Sequence, residues 1–444
     1  MVDIRDNGAG SPGAACGWSI RQSGPIWVGI LCSCAAAAGG EVGGPGSPAG
    51  GGQLPRIAVR DGRFVEKDSA KRFRPRGFNY IRLRPRWHGT FAPKRYDSAR
   101  AEAMLADLHR NGFNTVRVFI DPAARDGIVE SAAAEGFSRA YMGNFLDLLT
   151  RARRHGVYVV ASLLALPACK PYNAIVGRDR RQFGHGNEMY LDERFVRAKG
   201  RFVSDFVAAV KRRDPGLLST VLAYELDNET HFFADSGPFD EKQGTFKWNG
   251  KSYDRSSSED LQRLADAAVI RWADACVDAA GKVDPDAMVS VNVFTFAAVG
   301  RKGPNALRES KATDRRFPAR PLALARTKLS YIDIHFYPFR PDTLERDLAS
   351  IEFDRLREAC MAAGKPLIMG EFGSFKKNHK TLAEAAAAMK EHLARVRALG
   401  FEGFLYWTYD TDEQPYLWNA KSGKGEIFEV LREAARLGDW RQGT

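Results

Sequence analysis

Residues 220–230 read TVLAYELDNET, and the fold turns on how this stretch is taken. Val221, Leu222, Ala223 and Tyr224 form an unbroken apolar run, followed at once by Glu225, Asp227 and Glu229. An amphipathic helix would space its apolar residues three and four apart, and a half-exposed strand would alternate them. A continuous run suits a strand covered on both faces, as in a parallel sheet flanked by helices. Carboxylates gathered at the end of such a strand resist desolvation and repel one another, so their placement asks for a reason.

Runs of the same character recur on both sides of it. They are RGFNYIRL (76–83), FNTVRVFI (113–120), VYVVASLL (157–164), MVSVNVF (288–294), YIDIHFY (331–337), PLIMGEF (366–372) and FEGFLYW (401–407). Between them lie amphipathic helical patterns such as SARAEAMLADLHRNG (98–112), RAYMGNFLDLLTRARRHG (139–156) and LAEAAAAMKEHLARVRALG (382–400), each ending at glycine before the next strand. Eight strands alternating with helices predict an α/β fold, a (β/α)8 TIM barrel with long loops on one face. The fifth unit is the weakest, because residues 304–328 are rich in arginine and proline rather than amphipathic. Neither GxGxxG after the first strand nor a Walker A sequence occurs, which argues against dinucleotide and nucleotide binding.

The chain has 444 residues, 44% hydrophobic and 27% charged, with a net charge of +12. That is ordinary globular composition. The positive balance alone fits nucleic acid, anionic lipid or acidic glycan partners, but zinc-finger spacing and basic-aromatic repeats are missing, so no nucleic-acid partner is expected. Two domains are read: residues 1–54 as a leader and Gly/Pro-rich linker, and 55–444 as the barrel. GPIWVGILCSCAAAAGG (24–40) has the length of a signal-peptide core with Arg21 upstream, so export is expected. LCSC also resembles a lipoprotein cleavage box, in which Cys34 would carry a lipid that tethers the chain to a membrane. Cys169, Cys276 and Cys360 are odd in number and scattered, so neither a disulfide framework nor a metal site follows; the last two read as buried apolar residues. The chain is taken as a monomer.

On the barrel reading, polar residues recur where strands end: Arg117, Asn228, Glu229, His335, Tyr337, Glu371 and Trp407. Chain segments far apart thus converge on one rim, and Glu229 and Glu371 become a facing pair of carboxylates, as glycosidic bond cleavage requires. The motifs AYELDNE, DIHFYP, IMGEFG and GFLYWTY resemble the fourth, sixth, seventh and eighth strands of glycoside hydrolase family 5, the cellulase and mannanase family of retaining (β/α)8 glycosidases. RGFNY and GFNTVRV match its first two strands, and the likeness runs from about residue 56 to 420.

The resemblance implies that Glu229 is the general acid/base and Glu371 the nucleophile. It implies that Asn228 binds the sugar 2-hydroxyl, that Arg117 keeps Glu371 ionised, that His335 and Tyr337 bound the reacting subsite, and that Trp407 is its platform. Asn79 is a looser match. The implied activity is retaining cleavage of a β-linked glycan of mannan or glucan type, with an oligo- or polysaccharide substrate and neither metal nor organic cofactor. A transglycosylase with the same site and a non-catalytic glycan-binding barrel are the alternatives. Glu225 and Asp227 read as supporting hydrogen-bond partners, and Asn187-Glu188 as a loop decoy. Trp248 reads either as an outer sugar subsite or as a pin for its own loop. Two departures from the family pattern stand out: Thr230 replaces a proline, and no histidine follows the third strand in LLALPACKPYN.

Overall fold

The computed structural model describes residues 52–84, 88–177, 186–309, 314–339 and 343–437. The leader, Cys34 and most of the linker lie outside these residues. Eight parallel strands close into a barrel in sequence order. They are β1 (Arg76–Asn79), β2 (Thr115–Ile120), β3 (Tyr158–Leu163), β4 (Val221–Glu225), β5 (Val289–Phe294), β6 (Tyr331–His335), β7 (Leu367–Phe372) and β8 (Phe404–Tyr406). Each lies within one of the apolar runs, and nearly every residue in them is buried. Packing on both faces explains why these runs do not alternate.

The outer layer follows the amphipathic patterns: α1 (Ser98–Arg110), α2 (Arg139–Arg154), α3 (Glu193–Arg213), α4 (Ser258–Gly281), α5 (Phe353–Ala362), α6 (Leu382–Ala398) and α7 (Glu426–Arg436). Capping fixes several starts. Asp97 and Ser138 accept amide hydrogens at α1 and α2, and Thr381 with Glu384 forms a capping box at α6. The weak fifth unit is real. Between β5 and β6 the chain makes a short strand, Arg316–Pro318, and a four-residue helix, Pro321–Leu324. Cys169, Cys276 and Cys360 are buried free thiols.

One element escaped the sequence reading. Ile57–Arg60, Arg63–Glu66 and Arg72–Phe73 form an antiparallel sheet. It sends Ile57, Phe64 and Phe73, with Leu54, against Tyr158, Met288 and Tyr331 at the N-terminal ends of the barrel strands. Phe64 meets Tyr331 edge-on at 5.3 Å and Phe73 meets Tyr158 at 4.8 Å. This sheet closes the floor, so the opposite end, where the polar residues gather, is left to form a site. Its sequence signal is Asp61-Gly62 between two strand-like runs, with both residues at positive φ as a tight hairpin requires.

Candidate active site

Arg117 organises the centre. It stands on β2 opposite Asn79 of β1, wholly buried. Burying a guanidinium is costly unless each N–H finds an acceptor. Here Nε donates to Glu225 Oε2 at 2.6 Å, Nη1 to Asn79 Oδ1 at 2.9 Å and to Glu371 Oε2 at 3.2 Å. Nη2 donates to Asn228 Oδ1 at 2.8 Å and Ser162 Oγ at 3.4 Å. Burial opposes its charge, and Glu225 and Glu371 more than restore it, raising its pKa. The fork therefore ties β1, β2, β3, β4 and β7 together at one level.

Glu371 sits on β7 in register with His335 on β6. The Tyr337 hydroxyl donates to its Oε1 at 2.5 Å. His335 Nδ1 lies 3.4 Å from Glu371 Oε2 and 3.5 Å from Glu229 Oε1. One oxygen from each glutamate and a ring nitrogen of His335 fall within 4.8 Å of one another. Three such atoms also have the spacing of metal ligands. A guanidinium 3.2 Å from the oxygen a cation would need makes a carboxylate pair the better reading.

Glu229 is held differently. It lies past the end of β4 with φ of 53°, a left-handed conformation uncommon outside glycine. Asn292, on β5, fixes this turn. Its Oδ1 accepts the Glu229 amide, and its Nδ2 donates to the Asp227 carbonyl at 2.9 Å and to Glu225 Oε2 at 3.0 Å. Its own carbonyl accepts the Thr230 amide at 3.0 Å, a bond that the family's proline could not make. Beyond the turn, Arg316 reaches Glu229 Oε2 at 3.5 Å and lies over Phe294, while its guanidinium also pairs with Asp314.

The charges of this cluster are interdependent. Burial pushes the Glu371 carboxyl up and Glu229 adds to that, against the pull of His335, Arg117 and Tyr337. Burial would raise Glu229 too, but His335, Arg316 and His231 bring it below its usual value. Burial opposes a charge on His335, and Glu371 and Glu229 overcome it and raise its pKa. A charge on the imidazole thus favours the ionised form of both glutamates, and their charges favour it in return. The physical reason is that one His335 nitrogen faces both carboxylates.

Glu229, Glu371, Arg117, Asn228, His335 and Tyr337 therefore come together as the sequence predicted. Trp407 lies close by, 93% buried, with Nε1 donating to Gln414 Oε1 at 2.6 Å and Phe119 meeting its ring edge-on at 5.7 Å. Asn79 needs correction as a substrate contact. It is fully buried, its Oδ1 serves Arg117 and its Nδ2 donates to the Gly370 carbonyl at 3.0 Å, so it supports Arg117 from below. Asn187 lies in a turn, as read, and serves there as a pin: fully buried before the helical turn Glu188–Leu191, it accepts the Phe233 amide at 2.8 Å and donates to the Phe233 carbonyl at 3.0 Å. Trp248 is also a pin, 8% exposed, with Nε1 donating to the Leu191 carbonyl at 2.8 Å. Asn292 and Arg316 were missed. A polar residue inside the apolar run MVSVNVF was the available signal for the first; the second had none.

A histidine does reach this face from another loop: His88, after β1, stacks on Phe119 at 5.4 Å, and burial pushes its pKa down to about 4. Buried Lys199 of α3 donates to the Leu163 and Leu164 carbonyls at 2.7 and 2.5 Å, closing the end of β3, and burial lowers its pKa to about 8.

Residues 88–412 match the family described as Cellulase (glycosyl hydrolase family 5). The chain belongs to glycosyl hydrolase family 5. It is a retaining β-glycoside hydrolase. Among solved structures, the chain is similar to an endo-β-1,4-mannanase from Thermotoga petrophila, with 16% identity and a TM-score of 0.55 over 83% of this chain and 78% of that one. An endo-1,4-β-mannanase from Rhizomucor miehei is 14% identical, TM-score 0.56, covering 86% and 99%. An exo-β-1,4-mannosidase from Opitutaceae bacterium strain TAV5 is 17% identical, TM-score 0.55, covering 85% and 62%. At these identities the likeness is one of fold. No curated protein matches the chain at the sequence level.

Proposed function

We propose that Glu371 is the nucleophile and Glu229 the general acid/base of a β-mannoside-cleaving enzyme. The observation that carries this reading is the carboxylate pair within 4.8 Å at the ends of β4 and β7. Retaining glycosidases hold their two carboxyls about 5 Å apart, too close for a water between them and close enough for direct attack. The asymmetry of partners supports the order of roles. Arg117 and Tyr337 both donate to Glu371, which favours its ionised form and spreads its charge for attack on the anomeric carbon.

In the first step a Glu371 oxygen bonds to the anomeric carbon, the glycosidic C–O bond breaks, and Glu229 gives its proton to the leaving oxygen. In the second, water attacks that carbon, Glu229 takes the water's proton, and the bond to Glu371 breaks. Glycosylation removes the charge on Glu371, so the pKa of Glu229 falls between the two steps. Asn228 spends its Oδ1 on Arg117, which leaves its Nδ2 to donate to the sugar 2-hydroxyl. Before the first step Glu229 must hold a proton, and His335 Nδ1, 3.5 Å from Glu229 Oε1, is placed to supply it. The pull of His335 on Glu229 exists only while the imidazole is charged, so a proton passed from His335 to Glu229 also removes that pull.

The choice of mannose rests on the activities of the structural neighbours named above. We further propose export, with residues 24–40 as the apolar core of the leader; N-terminal sequencing of the protein from culture medium and membrane fractions tests it. The roles are tested with Glu371→Ala and Glu229→Ala on an aryl β-mannoside. Both should lose on the order of 10⁴-fold or more in kcat. Azide should rescue Glu371→Ala with an inverted glycosyl azide and Glu229→Ala with a retained one. Near-normal turnover by either variant would sink the assignment, and cleavage of aryl β-glucosides in preference would sink the sugar.

A further inference from the structure

Beneath the two glutamates the barrel interior holds two more carboxyl groups, Glu225 on β4 and Asp333 on β6, both fully buried. Each has one satisfied oxygen. Glu225 Oε2 accepts from Arg117 Nε at 2.6 Å and Asn292 Nδ2 at 3.0 Å, and Asp333 Oδ1 accepts the Gly370 amide at 2.7 Å. The other two oxygens, Glu225 Oε1 and Asp333 Oδ2, meet no donor among the described residues. The two carboxyl groups are neighbours: Asn292, which donates to Glu225 Oε2 at 3.0 Å, is paired in register with Asp333 across β5 and β6. Two bare carboxylate oxygens facing one another in a dry interior would each leave an acceptor unmet and would repel. A single proton between them removes both costs.

We propose that Asp333 carries a proton on Oδ2 at neutral pH, donates it to Glu225 Oε1, and acts as a positioning residue behind His335. The proton belongs to Asp333 because Glu225 already has the Arg117 guanidinium to balance its charge, whereas Asp333 has a neutral amide. The ionisable groups around Asp333 are Arg117 from β2, Glu225 from β4, and Tyr331 and His335 on its own strand; Glu371 follows Gly370 on β7. Burial, with Glu225 beside it, pushes the Asp333 carboxyl well above the usual carboxylate range, against His335 and Arg117. Gly370 belongs to the arrangement, since a Cβ there would stand 1.8 Å from Asp333 Oδ2.

The consequence reaches the site through the imidazole. His335 Nε2 is 3.9 Å from Asp333 Oδ2, while Nδ1 faces Glu229 and Glu371. An ionised Asp333 would be a third carboxylate around that ring and would hold it charged. A neutral Asp333 lets His335 release its proton to Glu229, where a general acid needs it. This consequence rests on the roles proposed above; the protonation of Asp333 does not.

Infrared spectroscopy of the folded Glu229→Gln/Glu371→Gln protein at neutral pH tests the proton without any turnover. A protonated-carboxyl C=O band should be present and should vanish on adding Asp333→Asn, whose amide makes the same donation to Glu225. Should that variant not fold, Glu225→Gln replaces it: its amide donates to Asp333, lets it ionise, and should abolish the band as well. No band in the parent, or one that survives these replacements, overturns the proposal. On an aryl β-mannoside, Asp333→Ala should lower kcat about tenfold or more by leaving a buried acceptor unmet. Asp333→Asn should restore most of it with both pH limbs in place. An alkaline limb displaced downward by Asp333→Asn would mean that a negative charge had been removed, and the proposal would fall.

Discussion

Glu371 lies on β7 itself, paired in register with His335, and two neutral or cationic donors reach its oxygens directly. Glu229 lies beyond the end of β4 in a left-handed turn, and what fixes it is mostly its backbone: the amide on Asn292, the next amide on the Asn292 carbonyl. In the roles proposed above the two must do different things. A nucleophile travels along one line and gains from a rigid strand with its charge already met. A proton donor must change charge twice in a cycle, so its carboxyl is better left with weak, charge-dependent partners such as His335 and Arg316, both at 3.5 Å. Precision on the Glu229 side is then supplied by the main chain, at the strain a left-handed residue brings.

Asn292→Ala breaks this comparison most severely. It removes the acceptor for the Glu229 amide and the donor to Glu225 and Asp227 together, so the turn loses its fixed geometry. A displacement on the order of 1 Å at a reacting group costs about a hundredfold. The loss should fall on kcat with KM little changed, because the glycan walls are untouched. If steady-state kinetics show Asn292→Ala within twofold of the parent, the backbone does not position Glu229, and the contrast drawn above is wrong.

Tyr337→Phe sharpens the other side. The hydroxyl at 2.5 Å favours the ionised form of Glu371, so deleting it must raise the Glu371 pKa. A hydrogen bond to a charged group is worth about 1.5–3 kcal/mol, or roughly one pH unit or more. Since the nucleophile must be ionised, the acidic limb of the kcat/KM profile should move upward by about that much, with turnover at its optimum falling roughly tenfold. The alkaline limb, where the proton that His335 and Glu229 share is lost, should stay. A shift of both limbs together would mean that Tyr337 serves the pair rather than Glu371.

The sequence disclosed what depends on period and on local chemistry. Strands covered on both faces have to be apolar throughout, so all eight could be read, and glycine-ended amphipathic runs gave the helices between them. The two glutamates were legible because costly residues at strand ends need a reason, and the family likeness supplied it. Long-range hydrogen bonds left no such trace. Asn292 and Glu229 are 63 residues apart, and only the closed barrel brings one to the other. The floor sheet was overlooked because its strands are short and half-exposed, although Asp61-Gly62 marked the hairpin. Asn79 was misread as a sugar contact for the opposite reason: a motif match gives the position of a side chain and not which partner has already claimed it.

Trp248 is the smallest and most discriminating case. It ends the first strand of the hairpin Thr245–Trp248 and Lys251–Asp254, whose Asn249-Gly250 turn has both residues at positive φ. Its ring is covered, its Nε1 is on the Leu191 carbonyl, and the Arg271 guanidinium lies 5.5 Å over its face. No face is left for a sugar to stack on. Trp248→Ala should therefore cost stability, about 3 kcal/mol as for other large buried aromatics, measurable as a lower denaturant midpoint. Turnover below the new transition should be nearly unchanged, and equally so for an aryl β-mannoside and for a long manno-oligosaccharide. That follows if Glu229 is held by Asn292 and not by the wider loop that Trp248 anchors. A loss confined to the long substrate would put Trp248 in the cleft after all. An equal fall in kcat on both substrates would instead show that the loop's packing reaches Glu229, and the local account of its placement would have to be given up.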